Sequence, residues 1–575
     1  MSQDAIIIKL DLTNAFNSLH RDNMLSSLSE WCPELSAYCH LAYAEPSILK
    51  YGNFTLQSQE GPQQGDPLGP VLFCLPLQEI LSNLQSPLAF GYLDDLTVGG
   101  AREMVCEDVV AITKGCARLG LTINNSKCEV IAKNRRIVLP EPANQFLRID
   151  PSAAELLGAP LSSREALNDT LDSIASNLAR AMKKLEQIPK QDALLILRSS
   201  IGAPRLIYIL RCSPCHNHPG LLNFDKGLRA GTESILNIAL SDDQWSLASM
   251  PIRMGGLGIR RASSLALPAF LASAARSQLT QSLILALTQV PEDSIVQAMR
   301  TRWQQSTAET TDFPSSDCKQ SSWDTPLLST AMTGIVSRSR DSYDRARLNA
   351  IQAPHASDWL LALPLAAQGL RLNDEEMRVA VGLRLGAVIC APHACACGTM
   401  VSARGSHGMA CSLGFGRQAR HSSINDIVLR SLIRAGIPSI REPAGLTRLD
   451  GKRPDGQTLI PWKSGRSLIW DVTIIDTFAP SYLAETSAAA GGAAEIAATR
   501  KQSKYAELQT RYCFTPIAVE TMGPMDREGM AFIMELGRRL TRTTEDLQET
   551  FFLFQKISVT IQRFNAIACL GSMGP

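Results

Sequence analysis

The sequence has almost no excess of charge of either sign. Lysine and arginine number 56 and aspartate and glutamate 55 among 575 residues, which gives a formal net charge of +1. This balance excludes a protein that binds polyanions through a strongly positive overall field. Any phosphate-binding surface must therefore be a local patch.

Targeting and membrane signals are also missing. There is no signal-peptide pattern and no apolar run of eighteen residues, and the fifteen cysteines lie scattered without disulfide-like spacing. The sequence therefore predicts an intracellular, reduced and soluble protein with no membrane partner. Its 45% hydrophobic and 19% charged residues indicate a folded chain, and its length predicts three or four domains.

Changes of pattern along the chain predict four regions in a multidomain α/β and α protein. Strand-like and helix-like stretches alternate over 1–160, amphipathic helices fill 161–385, a Cys/His cluster occupies 386–430, and helix, strands and helix follow over 431–575. Within these regions the pattern predicts strands at 5–11 and 53–57, a hairpin at 89–98, helices at 66–84, 104–119, 167–187 and 192–210, and a polar loop at 304–324.

Three aspartates stand out in the first region. Asp11 ends an apolar β-branched run, and Asp94 and Asp95 lie side by side in the predicted hairpin. Three carboxylates on neighbouring strands can hold two divalent metals about 4 Å apart, which is what nucleotidyl transfer requires. Taken singly, each aspartate is equally well explained as a turn or helix-capping residue. Their order and spacing favour the catalytic interpretation.

Other features surround these acids. Phe16 follows Asp11 by five residues, and Gln64 and Gly65 lie in a glycine- and proline-punctuated loop that leads into a helix. Such a loop lets the backbone approach a bound nucleotide or template closely.

These segments resemble the successive palm motifs of the reverse transcriptases of non-LTR retrotransposons. The resemblance implies a right-hand polymerase palm of ferredoxin-like α+β fold with a helical thumb, which transfers dNTPs onto a primer 3′-hydroxyl along an RNA template with Mg²⁺ or Mn²⁺. It implies that Asp11, Asp94 and Asp95 are the metal ligands and that Phe16 is the gate that excludes a ribose 2′-hydroxyl. It also implies substrate binding by Gln64, Gly65 and Tyr92. Lys127 would be the proton donor to pyrophosphate, and residues 156–161 would form the primer-grip turn.

The resemblance also implies a fingers subdomain before the first palm aspartate. Only ten residues precede Asp11 here. We therefore expect the chain to be N-terminally truncated or to have lost the function of the fingers.

A compact Cys/His cluster follows the helical region. Cys395, Cys397, His407 and Cys411 have the spacing Cys-x-Cys, nine residues, His, three residues, Cys. Three thiolates and an imidazole at such short spacings can close a tetrahedral Zn²⁺ shell around a small turn. His421 is an alternative ligand and His393 a weaker one.

A second set of acids lies in the last region. Pro454-Asp455 is followed by Asp471 within an apolar strand, and position 473 is threonine where a restriction-type nuclease usually has its lysine. Two such carboxylates can hold Mg²⁺ beside a scissile phosphate while a lysine activates water. The sequence leaves the lysine open between Lys501 and Lys504, beside Tyr505. It offers Glu442 as a third acid from the end of a preceding helix, and Asp476 as a structural one.

We call the segment around the Cys/His cluster the zinc knuckle. The order of palm, helical region, knuckle and second set of acids along the chain resembles that in proteins of retrotransposons that carry a restriction-like endonuclease. That resemblance implies nicking of target DNA, use of the released 3′-hydroxyl as primer, and action in the nucleus. Basic residues at helical spacing are expected either to bind nucleic acid or to form solvated faces: Lys183, Lys184, Lys190, Arg198 and Arg205, then Arg417, Arg420, Arg430 and Arg434. An endonuclease-only protein and an inert nucleic-acid-binding remnant stay open as alternatives, as does the oligomeric state.

Overall fold

The fold is seen in a computed structural model. It describes residues 4–134, 136–162, 165–285, 293–307, 312–339, 341–411, 413–414, 416–446 and 453–572. Lys452, which belongs to the basic stretch before Asp455, lies outside the described residues.

The N-terminal region is built on a five-stranded sheet. Its elements are β1 (Ala5–Leu10), α1 (Arg21–Trp31), α2 (Pro33–Tyr43), β2 (Ser47–Tyr51), β3 (Phe54–Ser58), α3 (Gly69–Ser82), β4 (Leu88–Tyr92), β5 (Asp95–Ala101), α4 (Arg102–Arg118), β6 (Glu129–Ala132), β7 (Leu147–Ile149), β8 (Glu155–Leu156) and β9 (Ala159–Pro160). The strand order is β4-β5-β1-β6-β7, with β1 antiparallel to both neighbours. The β-branched run of the sequence thus becomes the central strand.

Buried and partly exposed side chains alternate along β1, which explains why one face of this strand lies against the core. Ile6, Ile8 and Leu10 are buried in the core beneath α3 and α4, as expected for a strand with one face in the core. The predicted strand, hairpin and helix of this region are confirmed, with two adjustments. Helix α3 begins at Gly69 because the Asp66 carboxylate accepts a hydrogen bond from the backbone N–H of Leu68 (2.8 Å) in the preceding turn, and the predicted strand at 53–57 is half of an exposed hairpin, β2–β3.

Helices dominate the middle of the chain. They are α5 (Glu165–Leu185), α6 (Lys190–Ile196), α7 (Ile207–Cys212), α8 (Pro219–Leu236), α9 (Asp242–Ala248), α10 (Ala262–Ile284), α11 (Ser294–Ser306), α12 (Gln320–Ser337), α13 (Ser342–Gln352) and α14 (Asp374–Leu385). The polar stretch at 304–324 is a shorter connection than predicted, because α11 and α12 extend into it from both sides.

The prediction of one helix over 192–210 is wrong. A π turn at Leu197–Ile201 and a 3₁₀ turn at Ala203–Arg205 separate α6 from α7, because Gly202 leaves the helical region (φ −76°, ψ −131°) and Pro204 has no backbone N–H to donate. Among the described residues, the run Lys190–Cys212 has the length and mean hydropathy (1.5) of a membrane span, and 39% of it is buried inside the protein.

The C-terminal region combines a small ribbon with an α/β sheet. Its elements are β10 (His393–Ala394), β11 (Met400–Val401), α15 (His407–Ala410), α16 (Arg417–Arg434), β12 (Ser439–Arg441), β13 (Gly456–Lys463), β14 (Arg466–Ile475), α17 (Leu483–Ala488), α18 (Gly492–Lys504), β15 (Cys513–Glu520), α19 (Arg527–Thr544) and α20 (Glu549–Gly571). The sheet order is β12-β13-β14-β15, antiparallel except for the β14–β15 pair. Helices α16 and α19 pack on one face and α18 on the other.

Helix α20 connects three parts of the molecule. It carries buried residues on all sides, and Val559 and Ala566 belong to the core of the helical region. Towards the sheet, the side chain of Asn565 donates a hydrogen bond to the carbonyl of Thr521 (2.6 Å). Towards the knuckle, Gly408 lies so close that an added Cβ would sit 2.4 Å from the carbonyl oxygen of Ala568. The C-terminal sheet, the knuckle and the helical region therefore all pack against helix α20.

Glu520, at the end of β15, is a buried acid that opposes stability at alkaline pH. Its Oε1 accepts a hydrogen bond from the backbone N–H of Ala493 (3.1 Å), while Oε2 has no partner among the described residues. Burial raises its pKa to about 6, so the folded state holds the proton more tightly than the unfolded state does. The resulting stability is present at acid pH and is lost as the pH rises through 6.

We therefore expect Glu520→Gln to stabilise the protein at pH 8 by about 2 kcal/mol, because glutamine keeps the acceptor and removes the charge. Near pH 4, below the ordinary glutamate pKa of 4.5, the variant and the parent should unfold at similar temperatures. Thermal unfolding at both pH values measures the difference, with Glu485→Gln on the exposed surface of α17 as the control. An equal effect at both pH values would contradict this account.

Candidate functional site

Strand register brings the three N-terminal aspartates together. Leu10 pairs with Leu96 across β1 and β5, so the next position on each side places Asp11 opposite Asp95. Tyr92 pairs with Asp95 across β4 and β5, which leaves Leu93 and Asp94 as a two-residue turn. Leu93 adopts a positive φ of 57°, a conformation that side chains other than glycine rarely adopt. The three carboxylates thus meet at one edge of the sheet.

The charges at this edge repel one another. Burial, followed by the charges of Asp94 and Asp11, raises the pKa of Asp95, and Lys9 partly offsets the effect. Carboxylates that crowd in this way are stabilised by cations, and hard oxygen ligands suit Mg²⁺ or Mn²⁺. The site can therefore hold divalent metal.

Lys127 lies beside the same edge. The strand-like segment before it pairs with Leu12, and the backbone N–H of Asn124 donates to the Asp11 carbonyl (2.8 Å). Nζ of Lys127 is 4.0 Å from Oδ2 of Asp11, and 69% of its side chain is exposed. A cation with this freedom can reach a ligand bound over the acids.

The predicted substrate-binding residues surround the acids. Phe16 stacks on Phe73 with ring centroids 4.3 Å apart, which fixes the position of its ring. Gln64 and Gly65 lie exposed at the tip of their loop, and 61% of Tyr92 is exposed.

Hydrogen bonds from Tyr43 and Arg21 anchor the two ends of the loop that contains Gln64. The hydroxyl of Tyr43 donates to Asp66, and burial together with this bond raises the pKa of Tyr43 to about 12. Nε of Arg21 donates to the carbonyl of Gly61 (3.1 Å), and Arg21 lies over the Tyr43 ring. These bonds fix both ends of the loop and leave its tip accessible.

The Cys/His cluster closes as a single four-ligand set. One ligand atom from each of Cys395, Cys397, His407 and Cys411 lies within 4.8 Å of all the others. The sulfurs of Cys395 and Cys411 are 3.7 Å apart, close to the value of about 3.8 Å expected for two thiolates 2.3 Å from a tetrahedral ion. Hydrogen bonds from Thr399 lower the pKa of Cys397 to about 6, which favours the thiolate form that metals bind.

The alternative ligands His393 and His421 lie outside this set. Nδ1 of His393 is 2.9 Å from the carbonyl of Ala391. His421 lies on α16, where Nε2 is 3.1 Å from the carbonyl of Val472 and 3.1 Å from Oδ2 of Asp455. Neither alternative is part of the four-residue group, and His421 lies beside the second set of acids.

Asp455 directly precedes β13, and Asp471 lies in the neighbouring strand β14. The backbone N–H of Asp455 donates to the carbonyl of Trp470, and the backbone N–H of Val472 donates to Oδ2 of Asp455 (2.7 Å). Burial alone raises the pKa of Asp455, but the hydrogen bonds and charge of His421, with further bonds, outweigh it and lower the pKa. The carboxylate is thus held in its ionised form.

Lys501 contacts one of the two acids, Asp471. Its Nζ lies 2.5 Å from Oδ1 of Asp471, and the hydroxyl of Tyr505 is 2.7 Å from Oδ2. Nζ of Lys504 lies 2.9 Å from the Tyr505 hydroxyl instead. Asp471, with 3% exposure, is therefore surrounded by a cation and a phenol that enter from α18 and the turn that follows it.

Glu442 lies at the edge of this group. It follows strand β12, so its predicted place at the end of a helix is wrong, and it has a positive φ of 47°. Its carboxylate pairs with Arg453. Its backbone N–H donates to the carbonyl of Asp455 (2.9 Å), which links it to the site through the backbone.

Two predicted nucleic-acid contacts lie inside the protein. Arg420 is 3% exposed and donates to the side chain of Asn565 (2.8 Å), and Arg198 donates to the carbonyl of Leu360 (2.9 Å). These two arginines hold the fold together. Arg434 pairs with Glu549, but half of its side chain is exposed. Lys183, Lys184 and Arg430 lie on the surface.

Comparisons with known proteins bear on the N-terminal region. Residues 1–160 match the family described as "Reverse transcriptase (RNA-dependent DNA polymerase)". Residues 1–160 are a reverse transcriptase domain. The sheet that carries the three aspartates is accordingly its palm.

The relatives found are proteins of retrotransposable elements. The chain is 27% identical over 271 residues to the SLACS 132 kDa protein of Trypanosoma brucei gambiense, which covers 45% of this chain and 22% of the relative. It is 26% and 27% identical to two Pol polyproteins of the type-1 retrotransposable element R2 from Popillia japonica, over 35% and 44% of this chain. The chain covers 31% and 46% of those two relatives, so it spans less than half of each.

We expect the purified protein to contain about one zinc ion per chain, because the four-ligand set has tetrahedral spacing. Cys397→Ser should lose the metal and lower the unfolding temperature, since the ribbon β10–β11 would lose its tie to α15. Elemental analysis and thermal unfolding measure both effects. Cys390→Ser, a neighbouring cysteine outside the set, is the control, and a metal-free parent protein would contradict the assignment.

Proposed function

We propose that this chain is an RNA-directed DNA polymerase of a non-LTR retrotransposon that also nicks DNA. The observation that carries the polymerase is the meeting of Asp11, Asp94 and Asp95 at one sheet edge within a reverse transcriptase domain. RNA template, primer and dNTPs are the partners that this activity requires.

The residues around the acids suit nucleotidyl transfer. Divalent metal held by the three carboxylates would neutralise the triphosphate and activate the primer 3′-hydroxyl. Phe16, fixed by its stacking on Phe73, would contact the sugar of the dNTP, and Lys127 would give a proton to the leaving pyrophosphate. The accessible loop tip of Gln64 and Gly65 would position template and nucleotide.

The C-terminal acids support a metal-dependent endonuclease. Asp455 and Asp471 would hold Mg²⁺, and Lys501 would orient or activate the attacking water. His421 would orient Asp455. The carbonyl of Val472 can only accept a hydrogen bond, so Nε2 of His421 must carry a hydrogen, which it shares between this carbonyl and the Asp455 carboxylate. Zn²⁺ in the Cys/His cluster would fix the knuckle beside this domain.

Coupling of the two activities is the function that fits both sites in one chain. The nuclease would nick target DNA in the nucleus, and the exposed 3′-hydroxyl would prime reverse transcription of bound RNA. The proposal includes no membrane partner, because the apolar run Lys190–Cys212 contributes Leu194, Leu206 and Leu210 to the protein core.

Reciprocal variants test the two activities. Asp94→Asn should lower primer extension on an RNA template with dNTPs by at least about 100-fold and leave nicking intact, because it removes one metal ligand from the palm alone. Asp455→Asn should do the reverse, so each variant is the control for the other. Nicking without extension by the folded parent would reduce the function to an endonuclease, and RNA binding with neither activity would indicate an inert remnant.

The choice of lysine has its own test. Lys501→Ala should lower the nicking rate by at least about 100-fold, because its Nζ contacts the Asp471 carboxylate. Lys504→Ala should lower it less, since Nζ of Lys504 contacts the Tyr505 hydroxyl. Nicking of a labelled duplex measures both rates. Lys463→Ala, an exposed lysine of the same sheet, is the control, and a larger loss in Lys504→Ala would contradict the assignment.

A further inference from the structure

The turn between β8 and β9 contains a strained residue. Two residues, Leu157 and Gly158, join these strands, and both have a positive φ (50° and 73°). A two-residue hairpin turn uses this conformation, but asparagine, aspartate or glycine normally occupies its first position, because larger side chains are strained there. Such strain persists where surrounding contacts impose it. The contacts around Leu157 therefore show what fixes this turn.

Tyr208 on α7 makes such a contact. Its hydroxyl donates a hydrogen bond to the carbonyl oxygen of Leu157 (2.5 Å). Burial, and after it the neighbouring Cys212 and Tyr92, raises the pKa of Tyr208, so the phenol keeps its proton and remains a donor at neutral pH. The first helices after the palm are thereby tied to the tip of the turn.

Packing alone does not fix the turn. An open cavity of about 480 Å³ lies between the turn, α7 and α10, with Leu157 in its wall. Beyond its two chain neighbours, no described atom lies within 4 Å of the position that a Cβ at Gly158 would take. The hydroxyl of Ser213, just after α7, donates a longer bond to the carbonyl of Pro160 in β9 (3.4 Å). Tyr208 therefore holds the tip of the turn, and Ser213 holds its base.

The same cavity extends to the hairpin of the palm acids. Phe90 of β4 forms part of its wall together with Tyr208. Tyr92 lies two positions later on the same face of β4, and the turn that follows it carries Asp94. Tyr208 is thus a neighbour of both the β8–β9 turn and the hairpin of the acids.

The position of the turn suits contact with the primer. It approaches the acids from β4, an edge strand, whereas Phe16, proposed to contact the dNTP, follows the central strand β1. A primer 3′-hydroxyl must lie over the acids to react. The exposed backbone of Leu157 and Gly158 can approach a sugar–phosphate chain closely, since glycine has no side chain.

We propose that Tyr208 is a positioning residue for the primer, because its hydrogen bond to Leu157 holds the exposed turn where the primer end must lie beside Asp94. The inference rests on the proposed polymerase function. The sequence predicts primer contact for 156–161, and Tyr208 is a residue outside that segment that keeps it in place. Without the bond, the turn can move into the adjoining cavity and the primer end loses its support. Binding of the dNTP, which involves other residues, should not change.

Steady-state primer extension tests this role. Tyr208→Phe removes the hydroxyl and keeps the ring. Its KM for an RNA template annealed to a DNA primer should rise by about 3- to 10-fold, the effect of losing one hydrogen bond, while kcat and the KM for dNTP stay at the parent values. Tyr38→Phe, at an exposed tyrosine of α2, is the matched control and should leave all three constants unchanged. An unchanged KM for dNTP also shows that the variant is folded.

Binding without catalysis keeps this test separate from that of the polymerase. Fluorescence anisotropy would compare a labelled template–primer that has a recessed 3′ end with a blunt duplex of the same length. Tyr208→Phe should bind the recessed end about 3- to 10-fold more weakly and the blunt duplex as the parent does. If the parent binds the recessed end but extends no primer, the proposed polymerase fails, while this difference still supports the role of Tyr208.

Two results would overturn the proposal. Equal KM and dissociation constants for the template–primer in the parent and in Tyr208→Phe would mean that the turn keeps its place without the bond. A rise of the KM for dNTP equal to that for the primer, with a lower kcat, would mean that Tyr208 acts on the acids through Tyr92.

Discussion

The packing around helix α20 is the constraint on which most of the structure depends. A helix that is buried on all sides must be covered by several neighbours at once, because each uncovered apolar side would face water. Here the knuckle, the C-terminal sheet and the helical region cover it together. Asn565 satisfies its polar groups within this packing by donating to Thr521 and accepting from Arg420. The palm instead has a core of its own beneath β1.

The negative charge of the two sets of aspartates is compensated in different ways. The palm acids meet at one end of the sheet, where Lys127 is mostly exposed and lies 4.0 Å from Asp11, and Lys9 offsets only part of the repulsion at Asp95. In the C-terminal sheet, Asp471 is buried and already touches Lys501 and Tyr505, while Asp455 is held by His421. The second set is compensated by groups of the protein that touch it, whereas the repulsion within the first set is offset only in part.

Much of the palm was predictable from the sequence, because its signals are local. The β-branched run of β1, the hairpin turn at Leu93-Asp94 and the stop of α4 before Gly120 (φ 85°) each depend on residues close together in the chain. The four ligands of the Cys/His cluster are likewise within seventeen residues of one another.

Features that depend on distant contacts were not predictable. Lys501 and Lys504 lie on the same helix, and the packing of α18 on β14 brings Lys501 into contact with Asp471 and Lys504 into contact with Tyr505. His421 lies near the knuckle in sequence, yet α16 carries it across to Asp455, 34 residues later. The break in the predicted helix at 192–210 was missed although Gly202 and Pro204 were visible, because the apolar pattern continues through them.

The late position of α20 sets an order of events during synthesis. The palm residues leave the ribosome some 400 residues before α20 and can complete their own core at once. The knuckle, the helical region and the C-terminal sheet must wait with apolar surfaces exposed until α20 arrives to join them. Chaperones that bind such surfaces would therefore meet the nascent chain after the palm and before its last helix.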